Sequence, residues 1–313
     1  MSDSVPSTQE TGQPGGYVIG LDAGGTKTVG LLSNSQGEIV AKARGAGANL
    51  VVHGELAVEK VIYQVIDDLD APGAIAAVCL GIAGVDRPGE KELIVAMLRR
   101  LGLRRSVVVT NDAHIALVAG APEGRGIVVA AGTGSIAYGI TSQGRTARSG
   151  GWGYLLGDEG SAFWLGHAAL RLGIRAADGR GPGTSLYDRV CHRLDLQGAS
   201  GLVSWFYDQD LSRHRVAELA SLVEEAAQDG DEAAEELLQH AALHLARAAE
   251  AVARQLVFSE AFPLVLSGGV FKACPSLYER LESAMSLPLS RILRLDVEPA
   301  VGAVILARGQ LNR

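Results

Sequence analysis

An aspartate, two glycines and a threonine stand close together in the segment Gly20–Thr28, which reads Gly-Leu-Asp-Ala-Gly-Gly-Thr-Lys-Thr between two predicted strands. Gly24 and Gly25 leave backbone N–H groups open to an anion, and Thr26 adds a hydroxyl donor. Asp22 could hold a hydrated Mg²⁺ beside a phosphate. A polar Gly-Gly turn also suits a plain β-hairpin, whereas the spacing excludes a Walker A loop. The segment therefore favours phosphate binding, with the plain hairpin as the alternative.

A second turn of this kind, Ala131–Ser135, reads Ala-Gly-Thr-Gly-Ser and joins the predicted strands Gly126–Ala131 and Ile136–Ile140. It could approach the same polyphosphate from the other side. It does not fit a dinucleotide-binding turn, because Ala137 stands where the third glycine is needed and a strand follows instead of a helix. A third segment, Leu266–Val270, reads Leu-Ser-Gly-Gly-Val. It is typical of an ordinary strand–helix turn, and it could also let an adenine ring lie against the backbone.

Two further segments carry carboxylates. Asp112 follows the buried strand Ser106–Thr110, and α/β proteins place reactive groups at such strand ends. The alternative is that Asp112 only caps the next helix. The segment Gly150–Ser161 reads Gly-Gly-Trp-Gly-Tyr-Leu-Leu-Gly-Asp-Glu-Gly-Ser. Trp152 lies among glycines, so we expect it to be exposed enough to stack on a ring. A core position for Trp152 and a capping role for Asp158 are the alternatives.

The elements that must position these residues form two similar series. Each half of the chain predicts the order βββαβαβα, which indicates a duplicated α/β unit with a ligand cleft between the halves. The predicted strands are Tyr17–Leu21, Thr28–Ser33, Glu38–Arg44, Ala74–Ile82, Ser106–Thr110, Gly126–Ala131, Ile136–Ile140, Arg145–Ser149, Leu264–Ser267 and Arg291–Leu295. The predicted helices are His53–Leu69, Gly89–Leu101, a short one capped by Asn111 or Asp112 and ending at Gly120, Glu159–Gly173, Arg215–Gln228, Asp231–Phe258, Pro275–Met285 and Pro299–Arg308.

The same pattern predicts the domain limits. The polar residues 1–16 are expected to be a disordered lead-in without a secretory signal. The first lobe is expected to span residues 17–120 and to be completed by a closing helix within 299–313. The second lobe is expected to span residues 121–298, with a helical insertion at about 178–260. The glycine-rich segment Gly120–Gly126 marks the boundary between them.

Composition and charge exclude several classes of protein. Lys and Arg number 28 and Asp and Glu 35, so the formal charge is 28 − 35 = −7, which argues against a nucleic-acid partner. The longest uncharged run, Gly126–Gly144, is broken by glycines and hydroxyl residues, so we expect no membrane segment and a cytoplasmic protein. His240 and His244 lack a third metal ligand nearby. The three cysteines are far apart in sequence, which argues against disulfides, zinc or iron–sulfur clusters: Cys79, Cys191 and Cys274.

In this order, the motifs resemble those of the sugar kinase–actin–chaperone ATPase superfamily, and within it the N-acetylglucosamine kinase and BadF/BadG/BcrA/BcrD branch. The resemblance extends from Tyr17 to Arg308 and is most specific in the segment Gly150–Trp164. Two other segments, Gly81–Gly84 and Glu298–Gly302, resemble the connecting elements at the hinge of that superfamily. The fold that the resemblance implies is a pair of ribonuclease H-like, actin-like ATPase domains with a cleft between them.

The resemblance also implies roles for individual residues. Asp22 would hold Mg²⁺, and Asp112 would be the general base. The residues expected to bind ATP are Gly24, Gly25, Thr26, Lys27, Gly132, Thr133, Gly134, Ser135, Gly268 and Gly269. The residues expected to contact the sugar are Asn49, Asp112, Gly151, Trp152, Gly153 and Asp158.

The activity that the resemblance implies is ATP- and Mg²⁺-dependent phosphorylation of the 6-hydroxyl of N-acetylglucosamine by a homodimer. Glucosamine, a related hexosamine and a muramic-acid derivative are the alternative substrates. A BadF-type ATPase switch or activator and a sugar-sensing regulator are rivals from other classes. Cys191 and Cys274 do not stand in the contexts of the activators' iron–sulfur ligands. The ROK branch needs a zinc-binding His/Cys cluster, and its repressors need a helix-turn-helix for which residues 1–16 leave no room.

Overall fold

The computed structural model describes residues 16–85 and 89–311, which contain two sheets of five strands each. The segment 1–16 that is expected to be disordered lies outside the described residues except for Gly16. The first sheet has the order β3-β2-β1-β4-β5 and consists of β1 (Tyr17–Ala23), β2 (Lys27–Ser33), β3 (Ile39–Ala46), β4 (Ile75–Ile82) and β5 (Ser106–Thr110). The second has the order β10-β9-β6-β7-β8 and consists of β6 (Gly126–Ala131), β7 (Ser135–Ile140), β8 (Thr146–Gly150), β9 (Phe262–Ser267) and β10 (Leu289–Arg294).

The two sheets share one topology. In the first, β1 pairs antiparallel with β2 and β2 with β3, while β4 is parallel to both β1 and β5. In the second, β6 pairs antiparallel with β7 and β7 with β8, while β9 is parallel to both β6 and β10. The second half therefore repeats the first strand for strand, which confirms the predicted duplicated α/β fold.

Helices cover both sheets. Those of the first half are α1 (Leu50–Asp68), α2 (Glu90–Arg100) and α3 (Asp112–Gly120). Those of the second half are α4 (Ala162–Ala177), α5 (Leu186–Leu194), α6 (Gly198–Phe206), α7 (Arg213–Ala217), α8 (Ala220–Gln228), α9 (Glu232–Leu256), α10 (Val270–Ala273), α11 (Leu277–Ala284) and α12 (Ala300–Arg308). The longest, α9, buries an Ala- and Leu-rich stripe against the second sheet, which is the arrangement that helical periodicity dictates for an amphipathic segment.

The prediction of one helix over Arg215–Gln228 is wrong, because the segment folds as α7 and α8. The N–H of Leu219 donates to the carbonyl of Val216, and the N–H of Leu222 donates to the carbonyl of Leu219, so the chain tightens into three-residue turns between the helices. The bend lets α7 lie directly on α4, where a Cβ on Gly166 would overlap the Val216 carbonyl oxygen. The apolar spacing runs smoothly across the bend, so the sequence pattern does not reveal it.

The two closing helices, α3 and α12, cross between the sheets. α12 packs on the first sheet, and α3 packs on the second sheet with its buried residues against β6, β7 and β9. At the crossing, a Cβ on Gly302 would overlap the carbonyl oxygen of Ile115, so only glycine permits this approach. Gly20 in β1 likewise has no room for a Cβ, which would lie 2.6 Å from the Ala300 carbonyl oxygen. The contact between α3 and α12 therefore connects the two halves of the fold.

The structure also bears on membrane association. Among residues 16–85 and 89–311, no helix is both long enough and apolar enough to cross a membrane.

Candidate active site

The two glycine–threonine turns meet. The β1–β2 turn is closed by the N–H of Gly24, which donates to the carbonyl of Lys27 over 3.0 Å. The β6–β7 turn is closed in the same way by Gly132 and Gly134 over 2.8 Å. The Oγ1 atoms of Thr26 and Thr133, one from each turn, lie 3.3 Å apart. The structure thus brings together, from opposite lobes, the two turns for which the sequence predicts phosphate binding.

Two carboxylates lie at strand ends next to the first turn. Asp22 is the last residue but one of β1, where it pairs with Gly81 of β4, and Gly81 pairs in turn with Thr110 at the end of β5. Asp112 follows two residues after Thr110. Burial, and next the negative charge of Asp112, raise the pKa of Asp22 to about 7, although the Lys27 ammonium acts in the opposite direction. Asp22 and Asp112 therefore act on one another at the carboxyl ends of the parallel strands.

The helix cap after β5 is Asn111 and not Asp112. The Asn111 side-chain oxygen accepts the N–H of His114 over 2.7 Å, which is the bond of an N-cap. Asp112 is the first residue of α3, and its carboxylate accepts the N–H of Ala113 over 3.0 Å. Thr110 and His114 are joined by a 2.9 Å side-chain hydrogen bond that supports the same turn. Since Asn111 satisfies the helix end, capping does not account for the carboxylate at position 112.

The carboxylates of Asp22 and Asp112 are suitable ligands for a divalent cation. Two neighbouring carboxylates are both stabilised in the ionised form by a nearby cation. Asp22 is the carboxylate with the raised pKa, and it lies two residues before Gly24 of the first turn. The residues present are thus compatible with the Mg²⁺ that the resemblance implies.

Lys27 is held by a carboxylate from the opposite end of the chain. Its Nζ lies 3.1 Å from Glu298, which also binds Lys42 and Arg44 at 2.9 Å each. Burial works against ionisation of Glu298, but the hydrogen bonds from Lys42 and Lys27 outweigh it and lower its pKa to about 2. Because Glu298 directly precedes Pro299 and α12, it connects the hinge helix to β2 and β3. Nothing in the local sequence singles Glu298 out as a partner of Lys27.

Asp158 lies beneath the second turn. It is 7% exposed, and its carboxylate accepts backbone hydrogen bonds from Ser135 and Gly153. Burial raises the pKa of Asp158, and these hydrogen bonds offset part of that effect. A Cβ on Gly134 would lie 2.7 Å from Asp158 Oδ2, so Gly134 is required for this packing. Asp158 thus connects the second turn to the loop 150–157 that precedes it.

The two segments that contain the predicted sugar-contact residues are hydrogen-bonded to the two turns. Gly151 donates its N–H to the Ser135 carbonyl over 2.9 Å, and Trp152 follows with 63% of its surface exposed. In the other lobe, Ala48 donates its N–H to the Gly24 carbonyl over 2.9 Å, and Asn49 follows. The Asn49 side-chain oxygen accepts the N–H of Val52 over 3.2 Å. Each candidate sugar segment is therefore hydrogen-bonded to the glycine–threonine turn of its own lobe.

The third glycine motif lies against the second turn. Gly268 has φ +113°, and a Cβ there would overlap the Ala131 carbonyl oxygen, so both conformation and space require glycine. A Cβ on Gly132 would lie 4.0 Å from the N atom of Gly269. Gly268 and Gly269 therefore extend the surface that the second turn begins.

Comparison with known proteins decides the family. The BadF/BadG/BcrA/BcrD ATPase family model matches residues 19–307. The chain belongs to this family. The match confirms the resemblance read from the motifs, and it includes every residue of the candidate site. As a family of ATPases, it supports ATP as the nucleotide.

Several relatives within and around this BadF/BadG/BcrA/BcrD family are similar over nearly their full length. The N-acetylmuramic acid/N-acetylglucosamine kinase of Clostridium acetobutylicum is 33% identical over 95% of this chain and 99% of its own. The N-acetyl-D-glucosamine kinase of Dictyostelium discoideum is 34% identical over 92% of this chain and 97% of its own. A solved structure from Chromobacterium violaceum, named provisionally as an N-acetylglucosamine kinase, is 29% identical with a TM-score of 0.72, and covers 93% of this chain and 98% of that one.

Proposed function

We propose that this protein is an ATP-dependent kinase that transfers a phosphate group to the 6-hydroxyl of N-acetylglucosamine. The meeting of the two turns at Thr26 and Thr133, together with the neighbouring carboxylates of Asp22 and Asp112, carries the proposal. Phosphoryl transfer needs a phosphate clamp and a carboxylate to align the attacking hydroxyl, and this arrangement offers both. The names of the Clostridium and Dictyostelium relatives favour an amino sugar as the acceptor.

The phosphate clamp would consist of backbone N–H groups and hydroxyls. Gly24, Gly25 and Thr26 would bind from one lobe, and Thr133 and Ser135 from the other. Such preorganised donors stabilise the charge that develops on the transferred group. Mg²⁺, held by Asp22 with Asp112 nearby, would neutralise charge on the phosphate oxygens when bound. Lys27, fixed by Glu298, would add a positive charge beside the first turn.

Asp112 would be the general base. It would accept the proton of the sugar hydroxyl and align the oxygen for attack, and a carboxylate suffices because the proton moves late in the transfer. Asn49, Trp152 and the backbone at Gly151 and Gly153 would hold the sugar ring. Asp158 would reach the sugar from beneath the same loop.

Movement of the lobes about α3 and α12 would close the site and exclude water. We propose the lobes 17–120 with 299–313, and 121–298. The packing of α12 on the first sheet supports the assignment of the closing helix to the first lobe.

The test is a coupled ADP-release assay with five sugars: N-acetylglucosamine, glucosamine, N-acetylmannosamine, N-acetylmuramic acid and glucose. Phosphorus NMR of the product identifies the position that is phosphorylated. We expect ADP and sugar 6-phosphate in equal amounts, with N-acetylglucosamine among the best substrates. Release of ADP at one rate with and without sugar would replace the kinase by the ATPase switch. The best turnover on glucosamine would move the acceptor to the unacetylated sugar.

A further inference from the structure

Two guanidinium groups lie over the two aromatic rings of the loop 150–157. Arg148 Cζ lies 4.2 Å from the centroid of the Trp152 ring, and Arg213 Cζ lies 5.1 Å from the centroid of the Tyr154 ring. Both rings are exposed, Trp152 by 63% and Tyr154 by 42%. A planar guanidinium stacked on an aromatic ring is held in a fixed orientation. Arg148 also donates to the Gly150 carbonyl over 3.1 Å, so Arg213 is the candidate for binding a ligand. The loop proposed to hold the sugar therefore has a cationic rim.

The helical insertion supplies Arg213. This residue begins α7 directly after Ser212, whose hydroxyl accepts the N–H of Arg215 as an N-cap. The Gly166–Val216 contact packs α7 onto α4, and α4 starts four residues after Asp158. The backbone of Arg213 is thus fixed relative to the loop by direct helix packing.

The charge of Arg213 is not taken up by a protein carboxylate. Within residues 16–85 and 89–311, no Asp or Glu lies within ion-pair distance of it. Asp158 is the acidic group that Arg213 influences, but the carboxylate of Asp158 already accepts backbone hydrogen bonds from Ser135 and Gly153. A neutral hydroxyl gains little from an adjacent guanidinium. A carboxylate gains paired, charge-assisted hydrogen bonds.

We propose that Arg213 binds a carboxylate carried by the amino sugar, so that the substrates include a carboxyalkyl ether of N-acetylglucosamine such as N-acetylmuramic acid. The inference rests on the proposed kinase function and refines its sugar site. Arg148 adds positive potential on the same rim. A neutral sugar binds without this contact, so N-acetylglucosamine is also accepted.

The test compares kcat/KM for N-acetylmuramic acid and N-acetylglucosamine in the unmodified chain, in Arg213→Gln and in Arg215→Gln. Arg215 is the matched control, since it lies on the same helix with its Cζ 5.7 Å from the Trp205 ring and away from the loop. We expect Arg213→Gln to lose about 10- to 100-fold in kcat/KM for the acidic sugar. Turnover of the neutral sugar should stay within about threefold, and Arg215→Gln should change neither.

Salt provides a second measurement that does not depend on a variant. The KM for N-acetylmuramic acid should rise with ionic strength, because a partly exposed charge pair is screened, while the KM for N-acetylglucosamine should not. Equal losses for both sugars in Arg213→Gln, together with a lowered melting temperature, would assign Arg213 to packing and overturn the inference. Turnover of N-acetylglucosamine without turnover of N-acetylmuramic acid would also overturn it and leave the kinase proposal intact. Turnover of neither sugar would instead reject N-acetylglucosamine as the acceptor and with it the proposed function.

Discussion

The hydroxyl groups of Thr26 and Thr133 lie 3.3 Å apart although 107 residues separate them in sequence. Each threonine belongs to a turn that its own sheet holds, so their distance measures how closely the two lobes approach one another. A nucleotide phosphate bound between the turns would have to contact both sides. The candidate site is thus a property of the pair of lobes and not of either lobe alone.

We expect Gly25→Val to abolish nucleotide binding in a folded protein. A Cβ at Gly25 meets no atom within 4 Å, so the fold should tolerate the side chain, which would instead fill the space expected to hold a phosphate. Calorimetry with a non-hydrolysable ATP analogue should show no binding, while the melting temperature stays unchanged. Gly183→Val is the matched control, since Gly183 also faces open space but lies in the insertion. Normal affinity in Gly25→Val would exclude the first turn from the phosphate site.

We expect Asp112→Asn to lower kcat by about 10²- to 10⁴-fold, because the amide cannot accept the proton of the sugar hydroxyl. Affinity for the ATP analogue should change little. Asp188→Asn is the matched control, since Asp188 also lies in the first turn of a helix but is exposed in the insertion. Steady-state kinetics on both variants check the prediction. A kcat above about a tenth of the original would remove Asp112 from the role of base.

Trp152→Ala should raise the KM for sugar about 5- to 150-fold and leave the KM for ATP nearly unchanged. The ring is well exposed and stacks under Arg148, so its loss should hardly change the melting temperature. Tyr63→Ala, which removes an exposed ring of α1, serves as the control. If both KM values rise and the protein melts earlier, Trp152 supports packing and the sugar site lies elsewhere.

Asp22→Asn should stabilise the nucleotide-free protein above neutral pH. The pKa of Asp22 is raised from 3.8 to about 7, so between those values the folded chain binds more protons than the unfolded chain, and the free energy of unfolding falls as pH rises. The variant should not show this decrease. Its free energy of unfolding should exceed that of the unmodified chain by about 2–4 kcal/mol at pH 8 and differ little from it at pH 4. Chemical denaturation at the two pH values checks it. An equal effect at both would mean that Asp22 is not titrating in this range.

Glu298→Gln should lower the free energy of unfolding at neutral pH, the opposite of the effect expected for Asp22→Asn. The pKa of Glu298 is lowered to about 2, so its stabilising contribution is full above its usual value of 4.5 and is lost as pH falls toward 2. Because Lys27, Lys42 and Arg44 are partly exposed, we expect a loss of only about 1 kcal/mol at pH 7, reduced further by salt. Denaturation at low and high ionic strength measures it. A loss that salt does not reduce would point to packing of α12 instead of charge.

The sequence by itself determined the strands of both sheets and the two glycine–threonine turns. Strand periodicity, glycine pairs and caps involve residues only a few positions apart, so the bounds of β1, β2, β6 and β7 follow from local pattern. The repeat of the order βββαβαβα then sufficed for the duplicated fold. The family's motifs are also short segments of neighbouring residues, so they could be recognised in the sequence alone.

Only the tertiary structure decided which residues meet. The pairing of Lys27 with Glu298 spans 271 positions, and the stacking of Arg213 on Tyr154 depends on how α7 packs on α4. The sequence pattern did not reveal the break between α7 and α8, and it left the cap of α3 open between Asn111 and Asp112. Such choices depend on packing between distant segments, which neighbouring residues do not encode.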